Sequence, residues 1–230
     1  MNQSLFCRHL VLILLFFGGL KVGAQVNLPF SSPLPIVHIQ TLGADIQDEP
    51  KVQVRFQVID NGPGQINISS DSANGYDGFA GVEYRGNSTL QLPGSGEEEE
   101  EEEDPEEEEG LVGWKNSMGV ELWTANGEDT SAVLMGLPEE EDWVLHASFF
   151  DRSFLRNDLS FEIWRKMGHW GPRTRFCELV VDGQYEGVYI LMEKIKRDKN
   201  RLDLAKLKST DVSGDELTGG YILRLDWADE

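Results

Sequence analysis

The sequence is poor in cysteine, histidine and positive charge, and each shortage excludes a class of function. Two cysteines and four histidines are scattered along 230 residues, without a CxxC or HExxH pattern, so a zinc site built from protein ligands is not expected. Lys and Arg number 20 against 41 Asp and Glu, a formal net charge of −21. Because this charge would repel phosphate backbones, nucleic acid is not expected as a partner. Cys177 lies in a strand-like run, which predicts a buried core residue rather than a nucleophile.

Long apolar runs are also missing, apart from one near the N-terminus. Residues 10–20 (LVLILLFFGGL) follow the basic Arg8 and precede the small residues 22–24 (VGA). A basic start, an apolar stretch and small residues before a cleavage site are typical of a secretory signal peptide. The stretch is shorter than the roughly 20 residues that a membrane-spanning helix needs. We therefore predict a signal peptide over residues 1–24, a secreted chain and no transmembrane anchor.

The acidity is concentrated in one segment. Residues 97–109 read EEEEEEEDPEEEE, twelve carboxylates in thirteen positions, and the rest of the chain is only mildly acidic. Such a run favours a solvated, disordered insertion, which we place at residues 94–110. The remainder has the apolar and aromatic content of a globular protein. We expect one domain over residues 25–230, interrupted by this insertion.

Outside the insertion, the pattern favours strands and one helix. Runs rich in β-branched residues predict strands at 35–40, 51–59, 80–84, 114–123, 175–181, 184–195 and 219–225. Asp182-Gly183 is a hairpin signal between two of them. In residues 151–167, apolar side chains recur every fourth position, at Leu155, Leu159, Ile163 and Met167. This spacing predicts a helix with one apolar stripe. The expected fold class is α+β, an antiparallel sheet with one packed helix.

Seven short motifs carry more information together, in their order, than any one of them alone. They are RGNS (85–88), WKNS (114–117), LMGLP (134–138), DWVL (142–145), LRN (155–157), FCEL (176–179) and GVYILMEKIKRDKNR (187–201). From about residue 33 to the end, the chain thereby resembles the CotH (spore-coat protein H) kinase family. The last motif is specific, whereas RGNS alone is weak. The resemblance implies a secreted, atypical protein kinase that uses ATP and Mg²⁺, with a sheet-and-helix unit like the N-lobe of a protein kinase.

The resemblance also implies roles for three groups of residues. The ATP phosphates would be bound by Arg85, Asn87, Ser88 and Lys115. These supply two cations, a polar turn and a hydroxyl, which suit a triphosphate. Lys115 would be oriented by a carboxylate of the predicted helix, and the sequence leaves Glu162 and Asp158 both open. A connector whose backbone faces adenine would be formed by Met192, Glu193, Lys194 and Ile195.

Two departures from the family pattern bear on activity. The acidic insertion separates Ser88 from Lys115, and its negative potential would oppose nucleotide binding. The family's catalytic and Mg²⁺-binding aspartates follow the position equivalent to Asp226, and the chain contains no match to them. We therefore expect a fragment without the catalytic lobe, inactive by itself, that contributes neither catalytic nor metal-binding residues.

Three functional interpretations stay open. The first is an exported kinase domain acting on Ser or Thr of a protein substrate, such as an envelope or coat protein. The second is a non-catalytic binding or scaffold protein at the cell surface, built on the same unit. The third, a polysaccharide-binding module using Trp114, Trp123 and Trp170, is disfavoured because tryptophans at such positions usually lie in the core. The basic run 194–201 could be a solvated face, a docking patch for an acidic substrate or a partner of the glutamate run.

Overall fold

The protein is built mainly from β-strands. A computed structural model describes residues 29–86 and 115–223. Within these ranges the strands are β1 (Ser31–Ser32), β2 (Ile36–Gln40), β3 (Val52–Ile59), β4 (Asn67–Ile68), β5 (Tyr76–Arg85), β6 (Ser117–Trp123), β7 (Asp142–His146), β8 (Thr174–Val181) and β9 (Gln184–Glu193). The helices are α1 (Arg156–Lys166) and α2 (Asp215–Thr218). The predicted signal peptide, the acidic insertion, Asn87, Ser88 and Trp114 lie outside the described residues.

Seven strands close into a barrel in the order β2-β3-β5-β6-β7-β9-β8. Each neighbouring pair is antiparallel except the closing pair, β2 and β8, which runs parallel with Val37 opposite Leu179. Closure pairs the two edges that an open sheet would leave exposed. The expected α+β class, an antiparallel sheet with one packed helix like a kinase N-lobe, is therefore wrong. The domain is a mixed β-barrel whose sheet closes on itself.

The core lies inside the barrel and follows the two-residue period of the strands. In β3, Val54, Phe56 and Val58 are fully buried, while the residues between them are partly exposed. Trp143 and Tyr189 are the largest side chains of the interior. Cys177 is also fully buried, and burial raises the pKa of its thiol to about 12, which confirms the prediction of a core residue.

Helix α1 lies on the outside of the barrel and contains no buried residue. Its apolar stripe exists as predicted, but Leu155, Leu159, Ile163 and Met167 are between 51% and 63% exposed. The prediction that this stripe packs on a sheet is wrong, because the barrel interior is filled by side chains of its own strands. Polar contacts connect the helix to the barrel instead: the Thr174 hydroxyl donates to the Asp158 carboxylate, for example.

Residues predicted at the two ends of α1 and in the β8–β9 turn make local contacts in the structure. Leu155 is the N-cap residue of the helix. Asp151 accepts the backbone N–H of Arg156, the first helical residue, at 2.8 Å, and Gly168, with a φ of 89°, follows the end of the helix. Asp182 and Gly183 have φ values of 47° and 78°, which suit a two-residue hairpin turn and confirm that prediction. The strand predicted at 219–225 is absent from its described part, residues 219–223.

Within the described ranges, neither helix has the length and apolar character that crossing a bilayer requires.

Candidate functional site

Lys115 lies at one end of the barrel, where the chain enters β6, and is half-buried. Its ammonium donates a hydrogen bond to the Val188 carbonyl and lies 4.2 Å from the centroid of the Tyr189 ring and 5.2 Å from that of Phe154. Gly187 lies beside it with a φ of 91°, which favours glycine, while a Cβ at that position would make only an ordinary contact of 3.5 Å with Nζ. Burial lowers the pKa of Lys115 to about 8. A cation that has lost part of its hydration therefore lies at the rim of the barrel.

The two carboxylates predicted to orient Lys115 contact other groups. Asp158 accepts the hydroxyl of Thr174. Glu162 pairs with Arg165 at 2.7 Å and with Lys166 at 3.4 Å, along the exposed side of α1. The structure thus directs both side chains to partners other than Lys115, and their orienting role stays a prediction.

A cavity of about 230 Å³ lies beside this lysine, between the start of β6, the end of β7 and the start of α1. Its polar lining includes Ser117, His146, Ser148, Asp151, Arg156 and Asn157. Phe154, whose ring contacts the Lys115 ammonium, belongs to the segment between Asp151 and Arg156. Lys115 and Phe154 are outside the lining itself, but the charge of Lys115 acts on His146, which lines the cavity.

His146 connects the three elements that form the cavity. Its Nδ1 lies 3.4 Å from Ser117 Oγ on β6, and its Nε2 lies 2.9 Å from Asn157 Nδ2 on α1. Ser117 Oγ also accepts the N–H of Ala147 at 3.0 Å. Because the Asn157 amide donates to Nε2, the ring proton of neutral His146 is on Nδ1. Burial, and then the positive charges of Arg85 and Lys115, lower the pKa of His146, so the ring is neutral at pH 7.

Arg85 is brought to the same place by the pairing of β5 with β6. Its Cα lies opposite that of Ser117. Side chains of directly opposite residues share a face of the sheet. Arg85 therefore leaves the sheet on the side of the cavity that Ser117 lines. Of the four predicted phosphate ligands, Arg85 and Lys115 both lie close enough to His146 for their charges to act on it. Asn87 and Ser88 lie outside the described residues.

The predicted adenine connector lies toward the other end of β9. Because a strand rises about 3.3 Å per residue, Glu193 is roughly 17 Å along β9 from Val188, which contacts Lys115. Met192 is paired on both sides, with Val144 of β7 and Thr174 of β8. The Glu193 carboxylate is buried and is held by two hydrogen bonds from the Arg173 guanidinium, of 2.8 and 2.6 Å.

Beyond β9, the carbonyl of Lys194 accepts Arg201 Nη1 at 2.7 Å, and the Ile195 side chain is 53% exposed. Much of the hydrogen-bonding capacity of the connector is thus used inside the fold, and its contact with adenine stays a prediction.

Three neighbouring carboxylates, Glu140, Glu141 and Asp142, are the group of side chains in the described ranges that could hold a metal ion. Carboxylate oxygens are the ligands that Mg²⁺ prefers. However, the Lys196 ammonium lies 3.0, 2.6 and 2.6 Å from the three carboxylates, respectively. A divalent cation would have to displace this ammonium, so the cluster as it is arranged does not fit Mg²⁺.

The same contacts explain much of the basic run 194–201. Lys194 pairs with Asp142 at 3.2 Å, Lys196 with the carboxylate cluster, and Arg201 approaches Glu140 at 3.5 Å. These three charges neutralise carboxylates of the barrel. The roles of the run as a docking patch or as a partner of the glutamate run stay predictions.

Of the tryptophans considered for polysaccharide binding, Trp123 has a structural role. Its indole covers Gly81 of β5 so closely that a Cβ there would lie 2.2 Å from the ring. Trp170 is partly buried beside α1. Their placement agrees with the expectation that such tryptophans pack against the protein.

The fold and the site together define a class of protein: a closed β-barrel domain with a half-buried lysine at its rim. The family model described as CotH kinase protein matches residues 82–229, which is 148 of the 230 residues. The chain belongs to the CotH kinase family, which confirms the family identified from its motifs. No curated protein matches the chain.

Sequence reasoning did not single out His146. It directly follows the DWVL motif, and that position was the one available signal. Its hydrogen-bond partners are 29 residues before it and 11 residues after it in the chain, so no local pattern could reveal the group.

Proposed function

We propose that this chain is an exported CotH-like protein kinase domain that binds the phosphates of ATP at the rim around Lys115. The reaction is the Mg²⁺-dependent transfer of the γ-phosphoryl group to a Ser or Thr hydroxyl of a protein, such as an envelope or coat protein. The observation that supports this proposal is the half-buried Lys115 ammonium next to a cavity that Arg85 also faces.

Phosphoryl transfer relies on positive charge held around the phosphates. An ammonium has three donors, and the Val188 carbonyl takes one of those of Lys115. Because the group has lost part of its hydration, its attraction to a phosphate is stronger than in open water. The ammonium can therefore bind phosphate oxygens while it keeps its place at the barrel rim.

Mg²⁺ enters this proposal from the family, as the ion that accompanies ATP and neutralises its phosphates. The cluster of Glu140, Glu141 and Asp142 is not proposed as its site, because Lys196 occupies the centre of that cluster.

The proposal is tested by calorimetric titration of ATP with Mg²⁺ into the full chain and into its Lys115→Met variant. Methionine keeps an aliphatic stem between the two rings but removes the charge. Loss of a charged donor should weaken binding by roughly 10- to 100-fold. Lys206→Met, at an exposed lysine, is the matched control and should bind as the wild type does. Equal affinity of the wild type and Lys115→Met would refute the assignment.

Transfer is measured separately, as incorporation of labelled phosphate from ATP into a protein rich in serine. Incorporation that Lys115→Met abolishes supports the kinase. ATP binding without incorporation is the result expected if the chain is inactive by itself, and it supports nucleotide binding by the domain without catalysis.

Export is the part of the proposal that depends on residues 1–24. The expected result is a secreted protein whose first residue is Gln25, determined from the intact mass of the protein recovered from the culture medium. A protein retained in the cell with residues 1–24 still attached would contradict export.

A further inference from the structure

The cavity beside Lys115 combines hydrogen-bonding groups with an excess of positive charge. Arg156 lines it, Lys115 lies next to it, and Arg85 faces it from β5. The negative charge in its lining, Asp151, pairs with Arg156, whose Nε lies 3.5 Å from Asp151 Oδ1, so these two charges offset each other. Asp151 accepts the N–H groups of Ser153 and Arg156 at 3.0 and 2.8 Å and the Ser153 hydroxyl at 2.6 Å. The carboxylates of Glu178 and Glu186 act on Lys115 as well. At His146, however, the cations Arg85 and Lys115 outnumber the carboxylate Asp151, and this local balance favours an anion.

The loop that encloses the cavity is held in an unusual conformation at both ends. Ser148 and Phe154 have φ values of 49° and 58°, in the left-handed region that side chains other than glycine rarely adopt. Phe154 places its ring over the Lys115 ammonium, and Ser148 lines the cavity. Backbone strain of this kind is retained where the surroundings enforce it, often at ligand sites. The strain here is located where the loop contacts the lysine and the cavity.

We propose that this cavity binds the terminal phosphoryl group of the nucleotide, and that His146 takes up a proton when it does so. The inference rests on the proposed function and adds to it the position of the phosphoryl group and a titrating ligand, His146, that the family motifs do not include.

The link between phosphoryl binding and protonation of His146 follows from the hydrogen bonds of the imidazole ring. Neutral His146 accepts the Asn157 amide N–H at Nε2, which uses a donor that could otherwise bind an anion. When Nε2 is protonated it becomes a donor, so the Asn157 amide must turn and offer its oxygen to the ring. That turn frees the NH₂ group for the cavity. A phosphoryl dianion gains both the imidazolium charge and this donor, and its binding therefore draws one proton from solvent onto His146.

The charged groups around the His146 ring determine whether the affinity for phosphate rises or falls with pH. Arg85 and Lys115 lower the pKa of His146, and Asp151 raises it, while its contacts from β6 and α1 are the neutral Ser117 and Asn157. A bound phosphoryl group offsets the two cations and raises the pKa of His146. Affinity should therefore increase as the pH falls from 8 to 6.

The measurement has to distinguish protons taken up by Lys115 from protons taken up by His146. Because the pKa of Lys115 is about 8, it also takes up protons on binding near pH 8, but it is already charged at pH 6. At pH 6 the protons taken up by the protein therefore come from the titration of His146 and not from that of Lys115. Protons that belong to the nucleotide itself are the same for each variant and cancel in a comparison.

The test is calorimetry of ATP binding to the full chain at pH 6 and pH 8, in buffers with different ionisation enthalpies, which gives the number of protons taken up. His146→Gln keeps an acceptor for Asn157 but cannot titrate. It should bind roughly 10-fold more weakly than the wild type at pH 6, with less proton uptake, and nearly as tightly at pH 8. His169→Gln, at the exposed histidine that stacks on Trp164, is the control and should behave as the wild type.

The outcomes distinguish this inference from the proposed function. Wild-type binding of ATP with the same proton uptake in His146→Gln would overturn the role of His146 and leave the ATP site intact. Binding of tripolyphosphate, but not of ATP, with uptake that depends on His146 would support the phosphoryl site and refute the nucleotide. Absence of binding of either ligand would overturn both.

Discussion

Removing the Arg201 side chain should destabilise the protein far more than removing an exposed cation of the same basic run. The Arg201 side chain is fully buried. Its Nη1 and Nη2 donate to the carbonyls of Lys194 and Asp142 at 2.7 and 2.6 Å, and its guanidinium carbon lies 5.3 Å from the centroid of the Trp143 ring. Arg201 thereby connects Lys194, directly after β9, to Asp142 at the start of β7.

The size of the effect follows from what Arg201→Ala leaves behind. Removal of one partner of a buried ion pair typically costs about 3–5 kcal/mol. Glu140 and Glu193, which lie 3.5 and 3.9 Å from Arg201 Nε, keep Lys196 and Arg173 as other partners. We therefore expect the lower end of that range, about 3 kcal/mol. For a protein of this size such a loss lowers Tm by about 6–12 °C.

Urea unfolding followed by tryptophan fluorescence measures this free energy for the wild type, Arg201→Ala, Arg201→Lys and the control Lys199→Ala. Lys199 is exposed, so its removal should change stability by less than about 0.5 kcal/mol. Arg201→Lys keeps the charge but lacks the planar fork that reaches two carbonyls, so it should fall between the other two. A loss below about 1 kcal/mol for Arg201→Ala would refute the reasoning.

Three further predictions concern Glu141, Lys115 and Gly81. The Lys196 ammonium, 2.6 Å from its carboxylate, lowers the pKa of Glu141 below its usual 4.5. The contribution of Glu141 to stability is therefore present above pH 4.5 and is lost as the pH falls below that value. The stability gap between the wild type and Glu141→Gln in urea unfolding should therefore close as the pH falls below 4.5, and a constant gap would contradict this. Burial lowers the pKa of Lys115 from 10.5 to about 8, so the Tm of the wild type should rise between pH 8 and 10.5. The Tm of Lys115→Met should lack this rise. Parallel profiles of Tm against pH for the two proteins would be inconsistent with the lowered pKa. Gly81→Ala places a Cβ 2.2 Å from the Trp123 indole, so it should lower the free energy of unfolding in urea by about 1–3 kcal/mol. The loss should be smaller in a Trp123→Leu background, and equal losses in both backgrounds would argue against the clash.

Features that depend on a few adjacent residues could be predicted from the sequence. The Asp182-Gly183 turn needs two left-handed residues in a row, which these residue types adopt readily. The helix was located by apolar residues at every fourth position, although it begins at Arg156 rather than at 151. Lys115 was identified by its motif, and the motif series identified the family.

The surroundings of those elements could not be predicted in the same way. Periodicity shows that α1 has an apolar stripe but does not show what, if anything, covers it, and the stripe proved exposed. Strand β7 was not predicted, because its five residues are almost continuously buried and do not alternate. The β2–β8 pair joins strands more than 130 residues apart, so no local signal indicates that the sheet closes.

The amino-acid sequence alone therefore determines the turns, most of the strands, the helix with its apolar stripe, and the family, since each depends on residue types at short spacing. The closed barrel and the cavity depend on contacts between residues that are distant in the chain. Ser117, His146 and Asn157 become neighbours because β6, β7 and α1 meet at one end of the barrel. Long-range packing also assigned Lys194, Lys196 and Arg201 to carboxylates of the barrel, because burial makes an unpaired charge far more costly than a paired one.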